Sequence, residues 1–213
     1  MKNIFTFGKY KNKDIQEVFT KDKQYIVWLC KQEWFQKNHF ELFETSKKTM
    51  NEYKPNINPD KFIIYTDGAC PNNGSIHAKA SIGIHFSDKN PIKLNDVSEV
   101  LHINDPSNNV AELSAIYKSL QMIKENKIEI PIELYTDSMY CRSILIEWYE
   151  KWVRNNLLGN KKNLELIKKT YDIYKSINNI DIYHVNGHSK KTDEHSYGNN
   201  IADKLARGAF KSF

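Results

Sequence analysis

Two short segments of the chain read almost alike, and each places an aspartate directly after an apolar run. They are YTDG at 65–68 and YTDS at 135–138, which carry Asp67 and Asp137. Because ligands of α/β sheets gather where strands end, we expect the two aspartates to face each other. Adjacent carboxylates repel, and a hard cation such as magnesium, which prefers oxygen ligands, removes that repulsion. The repeat therefore indicates a magnesium site.

Two more acids lie on predicted helices. Glu112 precedes an apolar stripe that begins at Leu113, and Asp203 lies between Ile201 and Leu205, which are expected to face the core. Each acid alone also fits a plainer role. An Asp-Gly pair is commonly a turn, an early helical Glu offsets the helix dipole, and a helical Asp is usually solvated. Only the joint pattern favours a shared site.

The elements that must position these acids lie in residues 61–213, where the pattern predicts the order β-β-β-α-β-α-α-β-α. Strands joined by short turns should pair antiparallel, and strands reached through helices should pair parallel. The predicted fold class is therefore α/β, a mixed five-stranded sheet flanked by helices, with Asn108 as a helix N-cap. The strands are predicted at 62–66, 80–86, 97–103, 132–136 and 180–185, and the helices from 108 and near 138–153, 161–177 and 198–210.

The first 60 residues differ from the rest. Alternating apolar positions near 4–7 and a helical stretch near 25–29 predict a small α+β module over residues 1–46. Residues 47–60 are polar and contain two prolines, which predicts a linker. The expected domains are thus 1–46, 47–60 and 61–213.

The bulk composition sets broad limits. The net charge of +5, from 31 basic and 26 acidic residues, permits a polyanionic partner without requiring one. No apolar run approaches the roughly 18 residues of a membrane helix, so we expect no membrane partner. The three cysteines are scattered and odd in number, which favours a reducing compartment, the cytoplasm or the nucleus. We expect a monomer.

Five motifs resemble one family when they are taken together. As a set, and over about residues 61–210, they are similar to type-1 ribonuclease H, which is specific for RNA·DNA hybrids. The motifs are YTDGAC (65–70), NNVAEL (108–113), YTDSMY (135–140), HVNGHS (184–189) and GNNIADKLA (198–206).

The resemblance implies the reaction. It implies endonucleolytic hydrolysis of the RNA strand by two magnesium ions, with manganese as a substitute, which leaves 5′-phosphate and 3′-hydroxyl ends. His188 matches the family's mobile histidine, which assists product release or proton transfer, while His195 in the same long loop competes for that role. The implied metal ligands are Asp67, Glu112, Asp137 and Asp203.

The resemblance also implies how a hybrid is read. Asn73, Asn108 and Asn109 match positions that contact RNA 2′-hydroxyls, although asparagines are also common in turns and caps. The positions that match contacts to the DNA strand are Ser107, Trp148, Trp152 and Asn160. A tryptophan pair four residues apart also fits core packing.

The chain departs from the family pattern in four places. The segment after Trp152 is shorter and less basic, Val110 replaces an arginine, and a basic phosphate-pocket residue falls near Asp105. The loop from His188 to Gly198 is longer. These changes put the strength of hybrid binding in doubt.

The N-terminal module has a separate resemblance. Residues 4–35 are similar to a small module found beside some exonucleases, and Lys9, Lys11 and Lys13 with exposed aromatics could bind nucleic acid. A folded cap or a partner-binding piece fits the residues equally well. For the whole chain the alternatives to a ribonuclease are a DNA nuclease of the same fold and a non-catalytic hybrid-binding module.

Overall fold

The structure, a computed structural model, describes residues 3–52, 60–159, 161–187 and 193–211. The chain divides into two compact units, residues 1–55 and 56–213. Each unit has its own hydrophobic core. Among the helices formed by the described residues, none is both long enough and apolar enough to cross a membrane.

The N-terminal unit is helical over the residues that the structure describes. Asp14 and Asp22 cap the first two helices through their side chains, which accept backbone N–H groups from the first turn. The helices are α1 (Ile15–Lys21), α2 (Lys23–Cys30), α3 (Glu33–Asn38) and α4 (Phe40–Glu52). Their shared core consists of Phe5, Ile15, Val18, Phe19, Ile26, Leu29, Phe35 and Phe43.

Two predictions for this unit need correction. The strand expected at 4–7 is only an isolated bridge between Ile4 and Asp14, so residues 3–52 do not form an α+β module. The alternation there arises because Phe5 enters the helical core while Phe7 packs beside it. The linker was also placed too early, since residues 47–52 continue α4. Four of these six residues are exposed, while Met50 packs against the core of the unit, and residues 53–59 lie outside the described part.

The larger unit contains the predicted mixed sheet. Its strand order is β3-β2-β1-β4-β5, with antiparallel pairing of β1–β2 and β2–β3 and parallel pairing of β1–β4 and β4–β5. The predicted fold class is confirmed for this unit. The strands are β1 (Phe62–Ala69), β2 (Ala80–Phe86), β3 (Val97–Leu101), β4 (Ile132–Thr136) and β5 (Ile180–His184).

The helices of this unit follow the predicted order with shifted ends. Ser107, and not Asn108, is the N-cap of α5, because the Ser107 hydroxyl accepts the Val110 N–H at 3.3 Å. The last helix begins at Glu194, four residues before the predicted start. The helices are α5 (Asn108–Glu125), α6 (Met139–Ser143), a π-helical turn (Ile144–Trp148), α7 (Tyr149–Arg154), α8 (Leu164–Lys175), α9 (Glu194–Gly208) and a 3₁₀ turn (Ala209–Lys211).

Helices cover both faces of the sheet. Along β1, Phe62 and Ile64 point into the main core, which α5 and α8 close, while Ile63 and Tyr65 join a smaller cluster beneath α9. This alternation is the period-2 pattern of a strand buried on both faces. It leaves the end of β1 between α5 and α9, where the functional residues lie.

Candidate active site

The parallel pairing of β1 with β4 brings two aspartates side by side. The register pairs Thr66 with Thr136, so the next residues, Asp67 and Asp137, lie beside each other where the parallel pairing ends, Asp67 within β1 and Asp137 just past the end of β4. Glu112 joins them from α5. One carboxylate oxygen from each of the three residues lies within 4.8 Å of the other two.

Gly68 allows this convergence. A Cβ built at Gly68 would lie 2.2 Å from the backbone nitrogen of Glu112 and 2.4 Å from the carbonyl carbon of Ala111. Both neighbours are main-chain atoms of a long helix, so they have little freedom to retreat. The absent side chain therefore lets α5 lie against β1 and brings Glu112 close to Asp67.

Asp203 faces the same cleft from α9 but stands apart from the three. It lines a cleft of about 530 Å³ with Asp67, Glu112 and Asp137. Its Oδ1 accepts an ion-paired hydrogen bond from Nε of Arg207 at 2.7 Å. The structure thus brings all four predicted ligands to one cleft and groups three of them tightly.

Crowding changes the acidity of the buried carboxyls. Burial, followed by the charge of Asp137, raises the pKa of Asp67 to about 7. Burial and the nearby charge of Asp67 raise the pKa of Glu112 well above its usual value. One Glu112 oxygen is buried without a hydrogen-bond partner. Carboxyls crowded in this way are stabilised by added positive charge.

Hydrogen bonds fix the positions of the two aspartates. The Gly68 N–H donates to Oδ1 of Asp67 at 2.8 Å. The side-chain amide of Asn199 donates to Oδ2 of Asp137 at 3.4 Å, and Nε2 of His184 lies 3.2 Å from the Asp137 carbonyl oxygen. Asp137 is therefore held by contacts from β5 and α9, and Asp67 by its own backbone in β1.

Asn199 was missed by the sequence reasoning. It is 1% exposed, and its Oδ1 has no hydrogen-bond partner. It precedes Asp203 by four residues on α9, so the two share a helix face. That spacing within GNNIADKLA was the available signal.

The two candidate histidines have different outcomes. His188 lies outside the described residues. His195 stacks on Tyr135 with ring centroids 4.1 Å apart, and its ring nitrogens lie 3.2 Å from the Tyr65 hydroxyl and 3.3 Å from the Tyr135 hydroxyl. These contacts give His195 a packing role between the first turn of α9 and the sheet.

The predicted RNA-contacting residues cluster at the start of α5. The Asn108 N–H donates to Oδ1 of Asn73 at 3.2 Å, which joins the β1–β2 loop to the helix. Asn108 also lines the acidic cleft. Asn109 is adjacent on α5, and its carbonyl oxygen accepts a weak hydrogen bond from the Cys141 thiol at 3.9 Å.

The predicted DNA-contacting residues are only partly gathered. The rings of Trp148 and Trp152 lie 6.1 Å apart, and Nζ of Lys161 lies 4.5 Å from the Trp152 ring centroid. Trp152 is partly buried against the main core, whereas Trp148 is 36% exposed. Ser107 caps α5, and Asn160 lies outside the described residues.

The fold and the cleft define an α/β enzyme whose acidic site is suited to divalent cations. The family model described as RNase H matches residues 59–211. A ribonuclease H of Clostridium botulinum is 35% identical over 161 residues, which cover 72% of this chain and 97% of the relative. A ribonuclease H of Orientia tsutsugamushi is 33% identical over 147 residues, which cover 67% of this chain and 78% of that relative. The chain belongs to the ribonuclease H family.

Solved structures agree with this assignment. The PFV RNase H domain superposes with a TM-score of 0.59 at 26% identity, covering 73% of this chain and 97% of that domain. RNase H1 from Halobacterium salinarum, at 19% identity and a TM-score of 0.52, shares the fold. A second family model, exodeoxyribonuclease X-like C-terminal, matches residues 5–33.

Proposed function

We propose that the protein hydrolyses the RNA strand of RNA·DNA hybrids endonucleolytically, leaving 5′-phosphate and 3′-hydroxyl ends. The observation that carries the proposal is the group of three carboxylate side chains within 4.8 Å, in a protein of the ribonuclease H family. Residues 61–213 are the proposed catalytic domain.

The carboxylates suit two magnesium ions, which manganese can replace. Asp67, Glu112 and Asp137 supply the hard oxygen ligands that these ions prefer. The buried Glu112 oxygen that has no hydrogen-bond partner is free to bind a cation. Asp203 is the proposed fourth ligand. When bound, the ions supply Lewis-acid activation for attack of water on the scissile phosphate.

The protein's own contribution is to hold the acids ready. Hydrogen bonds from Gly68 and Asn199 orient the Asp67 and Asp137 carboxylates before substrate arrives. Such preorganisation lowers the reorganisation cost of the reaction. No protein side chain is required as a nucleophile. His188 is the proposed aid to product release or proton transfer.

Selection of a hybrid requires groups that recognise 2′-hydroxyls. Asn108 lines the acidic cleft, its backbone N–H donates to the Asn73 side chain, and Asn109 follows it on α5. Side-chain and backbone amides can both donate to and accept from a 2′-hydroxyl. We propose that these three residues contact the RNA strand.

The DNA strand needs a separate surface. We propose that Trp148 and Trp152 pack against its sugars while Lys161 adds positive charge. Ser107 and Asn160 are the proposed contacts to a DNA phosphate. The Ser107 hydroxyl already accepts the Val110 N–H but retains its own hydrogen for donation.

We further propose a monomer that works inside the cell, in the cytoplasm or the nucleus. Cys30, Cys70 and Cys141 are all free thiols, which fits a reducing compartment.

Cleavage of matched substrates tests the function. End-labelled RNA·DNA hybrid, duplex DNA and duplex RNA of one sequence are incubated with the protein in magnesium. We expect cleavage of the RNA strand of the hybrid alone. Cleavage of duplex DNA would favour a DNA nuclease of the same fold, and binding to the hybrid without cleavage would favour a non-catalytic module.

A further inference from the structure

The N-terminal unit leaves large aromatic side chains exposed. Phe40 is 60% exposed and Trp34 is 40% exposed, although the core formed by the described residues of this unit has eight buried hydrophobic residues. A unit with so small a core would gain stability by burying such rings. Their exposure therefore suggests that they serve a ligand.

Three rings, those of Phe7, Trp34 and His39, contact one another, and Phe40 follows His39 in the chain; we call these four residues the aromatic strip. His39 stacks on Phe7 with centroids 4.2 Å apart and planes inclined by 30°. Trp34 meets Phe7 edge-on at 5.3 Å.

The strip is anchored to the core of its unit. Phe7 lies 5.8 Å from Phe5 and 5.8 Å from Phe35, measured between ring centroids, and both partners are fully buried. The rings of Phe7, Trp34 and His39 are therefore held in one arrangement before any ligand arrives. Preorganised rings lose little conformational entropy on binding.

A groove of about 450 Å³ borders the strip. His39 and Phe40 form part of its lining, and Lys37, whose side chain is 74% exposed, adds a cation. Asn3 and Asn38 contribute amides that can pair with the edges of bases, while Glu41 is the acidic member of the lining. Lys37 also forms an exposed ion pair of 3.5 Å with Glu33, which is weak.

The charge of the segment complements a polyanion. Residues 1–60 contain 11 lysines and 8 acidic residues, a difference of +3. Two of the three lysines favoured by the sequence have exposed side chains that form ion pairs, Lys9 with Asp22 and Lys13 with Glu17, much as Lys37 does with Glu33. The strip is the better candidate for contact with nucleic acid because it places exposed rings beside a lysine.

We propose that the aromatic strip binds single-stranded nucleic acid by stacking bases on Trp34 and Phe40, with Lys37 near a phosphate. Bases in a duplex already stack on each other, so only unpaired bases can cover exposed rings. The family model that matches residues 5–33 takes its name from another nuclease. The strip would hold the single-stranded flank of a hybrid near the catalytic unit and so raise the local substrate concentration.

Binding of single strands by the full-length chain tests the proposal. The background is Asp137→Asn, so that no substrate is cut. Fluorescence anisotropy follows labelled oligothymidylate and labelled oligouridylate, which separate DNA from RNA as the source of the strand. We expect Trp34→Ala and Phe40→Ala each to weaken binding about tenfold, and Trp34→Phe to retain most of it.

Trp28→Ala is the matched control, because Trp28 is 49% exposed in the same unit but lies outside the strip. It should leave the affinity for single strands unchanged. The proposal is overturned if the starting chain binds neither oligonucleotide, or if Trp34→Ala and Phe40→Ala together change affinity less than twofold. An equal loss with Trp28→Ala, or a loss with Trp148→Ala instead, would also overturn it.

A fold check separates binding from stability. Phe40→Ala should keep the wild-type circular dichroism spectrum and melting temperature, because that side chain is 60% exposed, whereas Trp34→Ala should keep the spectrum and lower the melting temperature slightly, because Trp34 meets Phe7 edge-on. A large fall in the melting temperature of Phe40→Ala would mean that Phe40 packs against protein, which would contradict its place on a nucleic-acid surface. Hybrid cleavage is a separate assay, so failure here leaves the catalytic proposal standing.

Discussion

Neutralising one buried carboxylate should stabilise the metal-free protein. Folding raises the pKa of Asp67 from 3.8 to about 7, with burial as the largest cause and the charge of Asp137 next. An acid whose pKa rises on folding costs stability wherever it is ionised. This cost is absent below about pH 4, grows between about pH 4 and pH 7, and is complete above that range. Asp67→Asn removes it.

The magnitude follows from the pKa. A rise from 3.8 to about 7 is worth ~4 kcal/mol, at ~1.4 kcal/mol for each pKa unit. Relaxation around the site and residual structure in the unfolded chain reduce this value, so we expect a gain of ~2 kcal/mol. For a chain of this size that gain raises the melting temperature by ~4–8 °C.

Calorimetry in a metal chelator measures the effect. At about pH 8 the transition of Asp67→Asn should lie above that of the wild type, and near pH 4 the two should coincide. Asp203→Asn is the control, because Asp203 pairs with Arg207 and should gain nothing from neutralisation. Added magnesium should raise the melting temperature of the wild type far more than that of Asp67→Asn. An unchanged or lower melting temperature for Asp67→Asn at alkaline pH would refute the reasoning.

Three further predictions concern activity and packing. Asp137→Asn should abolish cleavage while hybrid binding survives in a gel-shift assay, and appreciable residual cleavage would count against its ligand role. Asn199→Ala removes the side-chain amide that donates to Asp137, so we expect about a tenfold fall in kcat and a higher magnesium requirement. Asn199→Gln should restore the activity only in part. Wild-type kinetics for Asn199→Ala would show that the contact is dispensable. Gly68→Ala should destabilise the larger unit by about 3 kcal/mol or more in urea unfolding, because its Cβ would meet the α5 backbone at 2.2 Å, and a loss below about 1 kcal/mol would mean that α5 shifts freely.

Much of the larger unit could be predicted from patterns that local sequence carries. The strands at 80–86 and 132–136 have the predicted bounds, because the first alternates apolar residues on one face, the second is a short apolar run, and both are buried in the sheet. The strand predicted at 97–103 ends at Leu101, since β3 lies at the sheet edge and pairs with β2 alone. Ends that depend on pairing are not encoded locally.

Features that depend on tertiary contacts escaped the sequence reasoning. Polar residues after position 46 resembled a linker, but α4 continues because Phe43 and Ser46 are buried in its own unit. The π-helical turn at Ile144–Trp148 leaves the apolar pattern unchanged, so nothing in the sequence distinguishes it from an α-helix.

The sequence predicted that four acids meet at one site, but it did not predict the contacts that each acid makes there. Strand ends and helix faces placed Asp67, Glu112, Asp137 and Asp203 together. Asp203 and Arg207 are four residues apart, so the sequence allowed an ion pair between them. Only the structure shows that this ion pair engages the carboxylate that is also the proposed fourth metal ligand.

The most direct test is anomalous diffraction from crystals of the wild-type chain. The crystals are grown with manganese and an uncleavable hybrid. We predict two anomalous peaks about 3.5–4 Å apart, contacting Asp67, Glu112 and Asp137. Manganese peaks elsewhere, with these three side chains bare, would contradict the account.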